Sequence, residues 1–208
     1  MPLSPVTLAG RHVRLEPLSV GHLPGLLQAA SESRATFTLT SVPGDEAAMR
    51  AYIDYARERF EAAEALPFAT VDVAKNRVVG STRFAALERW AWPAGRVAPA
   101  PAVDFEVAEI GWTWLAPSAQ RTPVNTEAKL LMLTHAFETW KLRRVLLKTD
   151  ARNSRSRAAI ERLGARFDGI LRAHMPSYDG GVRDSAFYSI LAAEWPEVRE
   201  RLRARLER

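Results

Sequence analysis

The stretch VLLKTDARNSRSRAAIERLG, residues Val145 to Gly164, says most about how this 208-residue chain folds. Its first part is rich in valine and leucine and ends at Asp150, which is typical of a buried strand. A short helix follows, which begins at an Asn-x-x-Ser sequence and ends at the glycine. The preceding stretch EIGWTWLAPSAQRTPVNTEAKLLMLTHAFE, residues Glu109 to Glu138, has the same order of strand, loop and helix. Both helices therefore present the free N–H groups of their first turns at one edge of a sheet, which suits a phosphate-bearing cofactor.

The remaining hydrophobic pattern predicts a single mixed α/β domain over residues 1–208, with both parallel crossings near the centre of its sheet. The predicted strands are residues 12–18, 67–73, 78–84, 104–115, 143–150, 165–175 and 185–191. The predicted helices are residues 19–30, 46–65, 125–140 and 154–164, and one that starts at Trp195-Pro196. Ser19 and Asp45 are the predicted N-caps of the first two helices. The segment 88–102, rich in tryptophan, proline and glycine, is predicted to be an exposed loop.

Composition excludes several classes of site. The chain has no cysteine, so disulfides, thiolate metal sites and cysteine nucleophiles are excluded. Its four histidines (His12, His22, His135 and His174) show no ligand spacing, so no metal site is predicted. No segment reaches the roughly 18 apolar residues that a membrane span needs, and the first residues lack the apolar core of a signal peptide. We therefore expect a soluble, cytoplasmic protein with no membrane partner.

The net charge is +5, and much of the excess lies in RNSRSR (152–157) and in the tail RERLRARLER (199–208). A basic balance favours phosphate ligands or nucleic acid, although solubility explains it equally well. Val198, Leu202 and Leu206 form an apolar stripe at helical spacing, so the tail is predicted to be a solvated helix face. Because aromatic residues do not alternate with the basic ones and no recognition motif occurs, nucleic acid is not expected as a partner.

Several motifs in order resemble the GNAT superfamily of acetyl-CoA-dependent N-acetyltransferases, and within it the RimJ/RimL-like branch that acetylates protein N-termini. The similar segments are VRLEPL, AEIGWTWLAP, NTEAKLLMLTHAFE, TDARNSRSRAAIERLGARFDGILR and DGGVRDSAFYSI. The resemblance implies the GNAT acyl-CoA N-acyltransferase fold, an α/β (α+β) architecture. Its central sheet is mixed and mostly antiparallel, separates between its fourth and fifth strands and carries helices on both faces. The resemblance also implies acetyl-CoA as co-substrate, no metal and an amine acceptor, and it leaves a homodimer open.

The family's pyrophosphate loop, Gln/Arg-x-x-Gly-x-Gly/Ala, aligns with residues 120–125, where Pro123 and Asn125 occupy the two glycine positions. Proline has no N–H to donate, so the cradle must rely on Arg121, Thr122 and the residues that begin the helix. The alternative is an ordinary loop with an asparagine cap. Residues expected to contact acetyl-CoA are Trp112, Trp114, Leu115, Gln120, Arg121, Thr122, Val124, Asn125, Thr126, Asn153, Ser156 and Arg157.

Asn153 and Ser156 match the family positions that face the pantetheine arm and its thioester. Many members protonate the departing thiolate with a tyrosine seven residues after this asparagine, but this chain has Ile160 there. By resemblance, Ser156 is the remaining candidate to donate a hydrogen bond to the sulfur, and water is the alternative. Equally, Asn153 is interpretable as a simple N-cap and Arg157 as a solvated cation.

The resemblance directs attention to Glu109 as the group that binds or deprotonates the amine. Glu106 should point to the opposite face of the strand, so only one of the two can line a given cleft. A salt bridge between Glu109 and an arginine of a neighbouring strand is the alternative. A backbone N–H near residues 112–115 is expected to stabilise the oxyanion of the tetrahedral intermediate. Two further functions stay open: acetylation of a small-molecule amine, and a non-catalytic acyl-CoA-binding sensor.

Overall fold

Eight strands form one mixed sheet in the computed structural model, which describes residues 3–95 and 101–207. The strands are β1 (Leu8–Ala9), β2 (Val13–Pro17), β3 (Leu66–Asp72), β4 (Arg77–Glu88), β5 (Val107–Leu115), β6 (Arg144–Asp150), β7 (Arg166–Pro176) and β8 (Val182–Leu191). The helices are α1 (Leu23–Ser31), α2 (Glu46–Glu61), α3 (Pro123–Thr134), α4 (Ser154–Leu163) and α5 (Trp195–Leu206). A π-helical turn, His135–Thr139, extends α3.

The spatial order of the strands is β1-β2-β3-β4-β5-β6-β8-β7, and neighbours are antiparallel except for β5 and β6. This parallel pair has three register partners, Val107–Glu109 with Arg144–Leu146, and then the two strands separate. The prediction of a mixed, mostly antiparallel sheet that separates at this place is confirmed. The two strands are the fifth and sixth here because the short strand β1 was not predicted.

Helices cover both faces of the sheet. Every residue of β3 is buried, which requires a covering layer on each side. On β4, Phe84 packs against Trp140, just after the π-helical turn, while the adjacent Arg83 packs against Tyr52 of α2. Because neighbouring strand residues point to opposite faces, α2 and the extended α3 lie on opposite sides of the sheet.

Most element boundaries lie close to the prediction. The third helix begins at Pro123 rather than Asn125, because Thr122 caps it and proline suits its first turn. The strand expected from Asp104 begins at Val107. In the 88–102 segment, the described residues after Glu88 form no helix or strand, and residues 96–100 lie outside the described part of the chain. The apolar stripe of the basic tail packs inward through Val198 and Leu202 on α5.

A buried carboxylate joins α3 to the first hairpin of the sheet. Glu127 accepts hydrogen bonds from the backbone N–H groups of Arg11, His12 and Val13, at 2.9, 2.6 and 2.8 Å. Gly10 permits this approach, since a Cβ there would lie 2.4 Å from the Glu127 carboxyl carbon. Three amides thereby compensate the buried charge and fix the position of the helix that follows β5.

Within the described residues, no helix has the length and apolarity to cross a membrane.

Candidate active site

The separation of β5 and β6 leaves two facing strand edges without partners. Beyond Glu109, β5 pairs with β4 alone, and beyond Leu146, β6 pairs with β8 alone. A β-bulge shapes the β5 side: Trp112 and Thr113 both oppose Thr82, and the Trp112 φ angle is 53°. The backbone N–H and C=O groups along the gap are therefore available to an inserted ligand with amide groups of its own.

The first predicted cradle lies where β5 leads into α3. Arg121 is exposed, has a left-handed φ of 59° and makes no side-chain hydrogen bond or ion pair within the described chain. Thr122 is the N-cap, with its hydroxyl accepting from the Val124 N–H at 3.4 Å and donating to the Ala119 carbonyl at 2.7 Å. Asn125 and Thr126 are half-buried in the first turn, and Val124 is buried. Arg121 is thus the cation of this loop that remains available to an anion.

Gln120 has a different environment from the one expected. Its side-chain amide donates to the Thr36 hydroxyl at 3.0 Å and to the Leu115 carbonyl at 2.9 Å. These bonds tie the loop to the segment between α1 and α2 and to the last residue of β5. The Gln120 side chain therefore stabilises the loop from within and has little donor capacity left for a ligand.

The second predicted cradle lies where β6 leads into α4. Asn153 is the N-cap and accepts from the Ser156 N–H at 3.0 Å, while the Ser156 hydroxyl has no partner within the described chain. Arg157 is engaged within the protein, because it donates to the Tyr188 hydroxyl at 2.9 Å and to the Ala151 carbonyl at 3.4 Å and lies over the Phe167 ring. Ile160 is buried and packs in the core. The Ser156 hydroxyl is thus unengaged at this edge within the described chain, as is that of the exposed Ser154.

Arg152, the first arginine of the RNSRSR segment, joins two parts of the fold through its ion pairs. It donates to Asp150 at 2.8 Å and to Asp179 in the β7–β8 turn at 2.8 Å. These hydrogen bonds with Arg152 lower the pKa of Asp150, and bonds to Ser177 and Arg152 lower the pKa of Asp179 to about 2. Both carboxylates are therefore ionised at neutral pH.

Glu109 lies where β5 and β6 part, in a cavity of about 340 Å³. Its carboxylate accepts from the Lys148 ammonium of β6 at 2.6 Å, and the two side chains have exposed fractions of 7% and 22%. The ion pair with a neighbouring strand is thus present, with lysine in place of the arginine that was considered. Glu106 does not line the cavity and instead binds the Trp90 N–H and the Trp92 indole.

The tryptophans divide between core and cavity. Trp114 is buried edge-on against Phe37. Trp112 lines the cavity, is 45% exposed and lies 5.9 Å from Tyr55 of α2, ring centre to ring centre. Trp112 therefore offers a flat apolar surface to a ligand in the cavity.

Four functional groups near the gap escaped the sequence-based prediction. Lys148 pairs with Glu109, and Arg83 and Arg59 line the same cavity. His174 of β7 shares a hydrogen bond of 2.9 Å with Ser185. Desolvation, followed by repulsion from Lys148 and Arg183, lowers the His174 pKa, so its imidazole is neutral at pH 7. Nothing in the sequence marks these residues, because strand register brings Lys148, Arg83 and His174 to the gap and the packing of α2 brings Arg59. No cluster of three metal-binding side chains occurs among the residues described.

Comparison with known proteins gives consistent matches. Residues 12–166 match the family model described as an acetyltransferase (GNAT) domain. A GCN5-related N-acetyltransferase from Brucella melitensis has a similar crystal structure, with a TM-score of 0.84 and 30% identity over 99% of this chain and 87% of that one. RimJ of Mycobacterium smegmatis, solved in complex with CoA-disulfide, has the same fold, with a TM-score of 0.75 and 22% identity over 95% and 90% of the two chains.

One curated relative is also similar in sequence. The protein named "Putative ribosomal N-acetyltransferase YdaF" from Bacillus subtilis (strain 168) is 36% identical over 89 residues, which are 42% of this chain and 47% of that protein. The match thus spans about half the length of the curated relative.

Proposed function

Because this chain belongs to the GNAT acetyltransferase family, we propose that it transfers an acetyl group from acetyl-CoA to a protein or peptide N-terminal α-amine. One observation carries the proposal. The strands β5 and β6 separate after three register pairs, between two helix N-termini, with Glu109 at the point of separation. The two helix N-termini favour an anion, and the open gap between the strands lies next to them. The Glu109 carboxylate stands at the start of that gap.

The residues at the gap fit acetyl-CoA. The unpaired edge of β5 beyond Glu109 suits the amides of a pantetheine arm, and the diphosphate would rest near Arg121 and the capped start of α3. Pro123 has no backbone N–H, so this cradle has one donor fewer than a glycine-rich loop would offer to the diphosphate. The Arg121 guanidinium would therefore carry a larger share of the diphosphate binding. When bound, acetyl-CoA supplies a thioester carbonyl that an amine attacks directly.

The cavity on the α2 side would receive the amine. Glu109 offers a hydrogen-bond acceptor beside the gap, and Lys148 holds its carboxylate in place. An amine bound there loses its proton to Glu109 or to water, and a backbone N–H between residues 112 and 115 stabilises the developing oxyanion. The Ser156 hydroxyl, which has no protein partner within the described chain, donates to the departing sulfur.

The name of the curated relative supports a ribosomal-protein acceptor, whereas a small-molecule amine is the runner-up. A non-catalytic acyl-CoA sensor is favoured by two observations: Ile160 replaces the usual tyrosine acid, and Pro123 interrupts the phosphate loop. Catalytic turnover distinguishes the sensor from an acetyltransferase, whether the acceptor is a protein or a small-molecule amine.

The test measures CoA release from acetyl-CoA with a panel of N-terminal peptides and small amines. We expect turnover with at least one peptide, and E109Q should lower kcat/KM by about 100-fold because an amide cannot take the proton of the amine. E106Q is the matched control and should stay near wild type, since Glu106 lies outside the cavity. Tight binding of acetyl-CoA without turnover on any acceptor would contradict the proposal and favour the sensor.

Removal of the Ser156 hydroxyl tests separately whether this side chain donates a proton or hydrogen bond to the departing sulfur. S156A should lower kcat by about 10-fold, while S154A, an exposed serine in the same helical turn, should leave it unchanged. Equal rates for both variants would assign the proton to water.

A further inference from the structure

The Arg83 guanidinium is buried without a counter-charge. Its exposed fraction is 1%, and its Nε and Nη2 groups have no hydrogen-bond partner. No ion pair involves Arg83 in the described part of the chain. By contrast, three amides compensate Glu127, and Lys148 compensates Glu109. A buried cation without such compensation is costly, so its retention calls for a ligand that supplies the missing acceptor.

Two aromatic rings fix this guanidinium. The Arg83 Cζ lies 4.9 Å from the centre of the Tyr52 ring and 4.5 Å from that of Trp112. Ring faces attract the positive charge but accept no conventional hydrogen bond from its N–H groups. A guanidinium held in this way retains the donor pattern that binds a carboxylate in a bidentate manner.

The charges that line the cavity leave one positive charge in excess. Arg59 pairs with Glu64 at 2.9 Å, and Lys148 pairs with Glu109 at 2.6 Å. Arg83 is the remaining cation of the lining, so an occupant with one negative charge would neutralise the cavity. The volume of about 340 Å³ accommodates a group the size of one or two amino-acid residues.

Arg83 and Glu109 are close neighbours on the same face of the sheet. Arg83 pairs with Gly111 in the β4–β5 register, and Glu109 is two residues before Gly111 on β5. The Glu109 carboxylate leans over Gly111, since a Cβ at that glycine would lie 2.3 Å from its Oε1. Such diagonal neighbours are about 7–8 Å apart between Cα atoms, so one small molecule can reach both side chains.

We propose that the acceptor of this enzyme carries a carboxylate within a few bonds of its amine, and that Arg83 binds that carboxylate while Glu109 receives the amine. This inference rests on the proposed acetyl transfer to an amine at this cavity. The carboxylate has two sources: the α-carboxylate of a free amino acid, or the acidic side chain of the first residue of a peptide.

The kinetic test compares acceptors that differ only in charge. The panel contains peptides that begin with Asp or Asn and with Glu or Gln, and free amino acids beside their amides. Wild-type protein should prefer the acidic member of one set by at least about 10-fold in kcat/KM, and the set that shows the preference identifies the source. R83M should lose this preference, because its kcat/KM falls more on the acidic member of the set than on the neutral one. Equal rates on both members, or an equal loss on both in R83M, would overturn the inference.

A binding measurement separates this inference from the proposed function. If no acceptor is turned over, the proposed function fails, but calorimetry with glutarate and glutamate as probes still tests Arg83. Wild type should bind at least one probe, and R83M should weaken that binding by about 10-fold or more. Absence of binding to wild type would refute the carboxylate site.

The melting temperature of R83M controls for a merely structural role. Because the guanidinium lacks a counter-charge, its replacement by methionine should leave the melting temperature unchanged or raised. R83K is the second variant, which keeps the charge but loses the bidentate geometry, so it should show an intermediate preference. A large fall in melting temperature in both variants, with no change in acceptor preference, would assign Arg83 to the fold.

Discussion

Lys129 is a buried lysine that interacts with hydroxyls instead of a carboxylate. It lies inside α3, 4% exposed, and its ammonium contacts the hydroxyls of Thr82 at 3.0 Å and Thr113 at 2.7 Å. Burial lowers the Lys129 pKa to about 7. The unfolded chain therefore binds this proton more readily than the native state between pH 7 and the ordinary lysine pKa of about 10.5. Stability should rise with pH across this interval and be insensitive to this group below it.

Replacement of Lys129 by methionine tests this sign. K129M should raise the free energy of unfolding at pH 7 by roughly 2–4 kcal/mol and flatten its rise between pH 7 and 9.5. The two threonine hydroxyls remain bonded to each other at 2.7 Å, so the variant leaves no orphaned partner. Urea titrations at several pH values give the slope, with K141M as an exposed control. Parallel pH slopes for K129M and wild type would show that the native lysine keeps its ordinary proton affinity.

At the scale of residues, the sequence predicted the features that follow from spacing along a single element. It missed the residues whose roles depend on how neighbouring strands and helices are placed. The Asn153 cap, the opposite orientation of Glu106 and Glu109 and the departure at Ile160 all follow from spacing along one element. Arg83 and Lys148 acquire their roles from neighbouring strands and helices distant in sequence. No single-strand pattern contains that information, because two strands can pair in many registers with the same alternation of side chains.

At the scale of elements, α3 depends on its link to the first hairpin. Loss of the Glu127 carboxylate would leave three backbone N–H groups without an acceptor. E127A should therefore lower the free energy of unfolding by roughly 2–4 kcal/mol, and E127Q by less, because the amide oxygen still accepts. E58A, at an exposed position of α2, is the control and should change stability by less than about 0.5 kcal/mol. Chemical denaturation provides the measurement, and equal values for E127A and E58A would contradict the role of this link.

Long, periodic elements were predicted well, whereas short or irregular ones were not. The order of the longer strands and helices is confirmed, as is the family. The two-residue strand β1, the bulge at Trp112 and the π-helical turn after Thr134 have no periodicity to reveal them. The bulge matters most for the site, because it turns Trp112 toward Arg83 at the edge of the cavity.

At the scale of the whole molecule, two parts of the sheet meet at a short seam. The strands β1–β5 and β6–β8 share three register pairs, and α3 contacts α5 across one face. There, Phe137 stacks on Trp195 and the Trp195 indole donates to Glu138 at 2.8 Å. The seam is therefore held at one end, by α3 and α5 on one face and by the Lys148–Glu109 ion pair on the other, while the ends of β5 and β6 remain apart.

A ligand that fills this gap should protect both of its edges together. We expect acetyl-CoA to slow amide hydrogen exchange in residues 110–115 and 147–150, because the two unpaired edges gain partners or lose access to water. The buried strand β3 should exchange equally slowly with and without the ligand, which makes it the internal control. Mass spectrometry of peptic fragments resolves these segments. Protection confined to the start of α3 would mean that the diphosphate binds while the acyl arm stays outside the gap, and the site proposed for acetyl transfer would then be wrong.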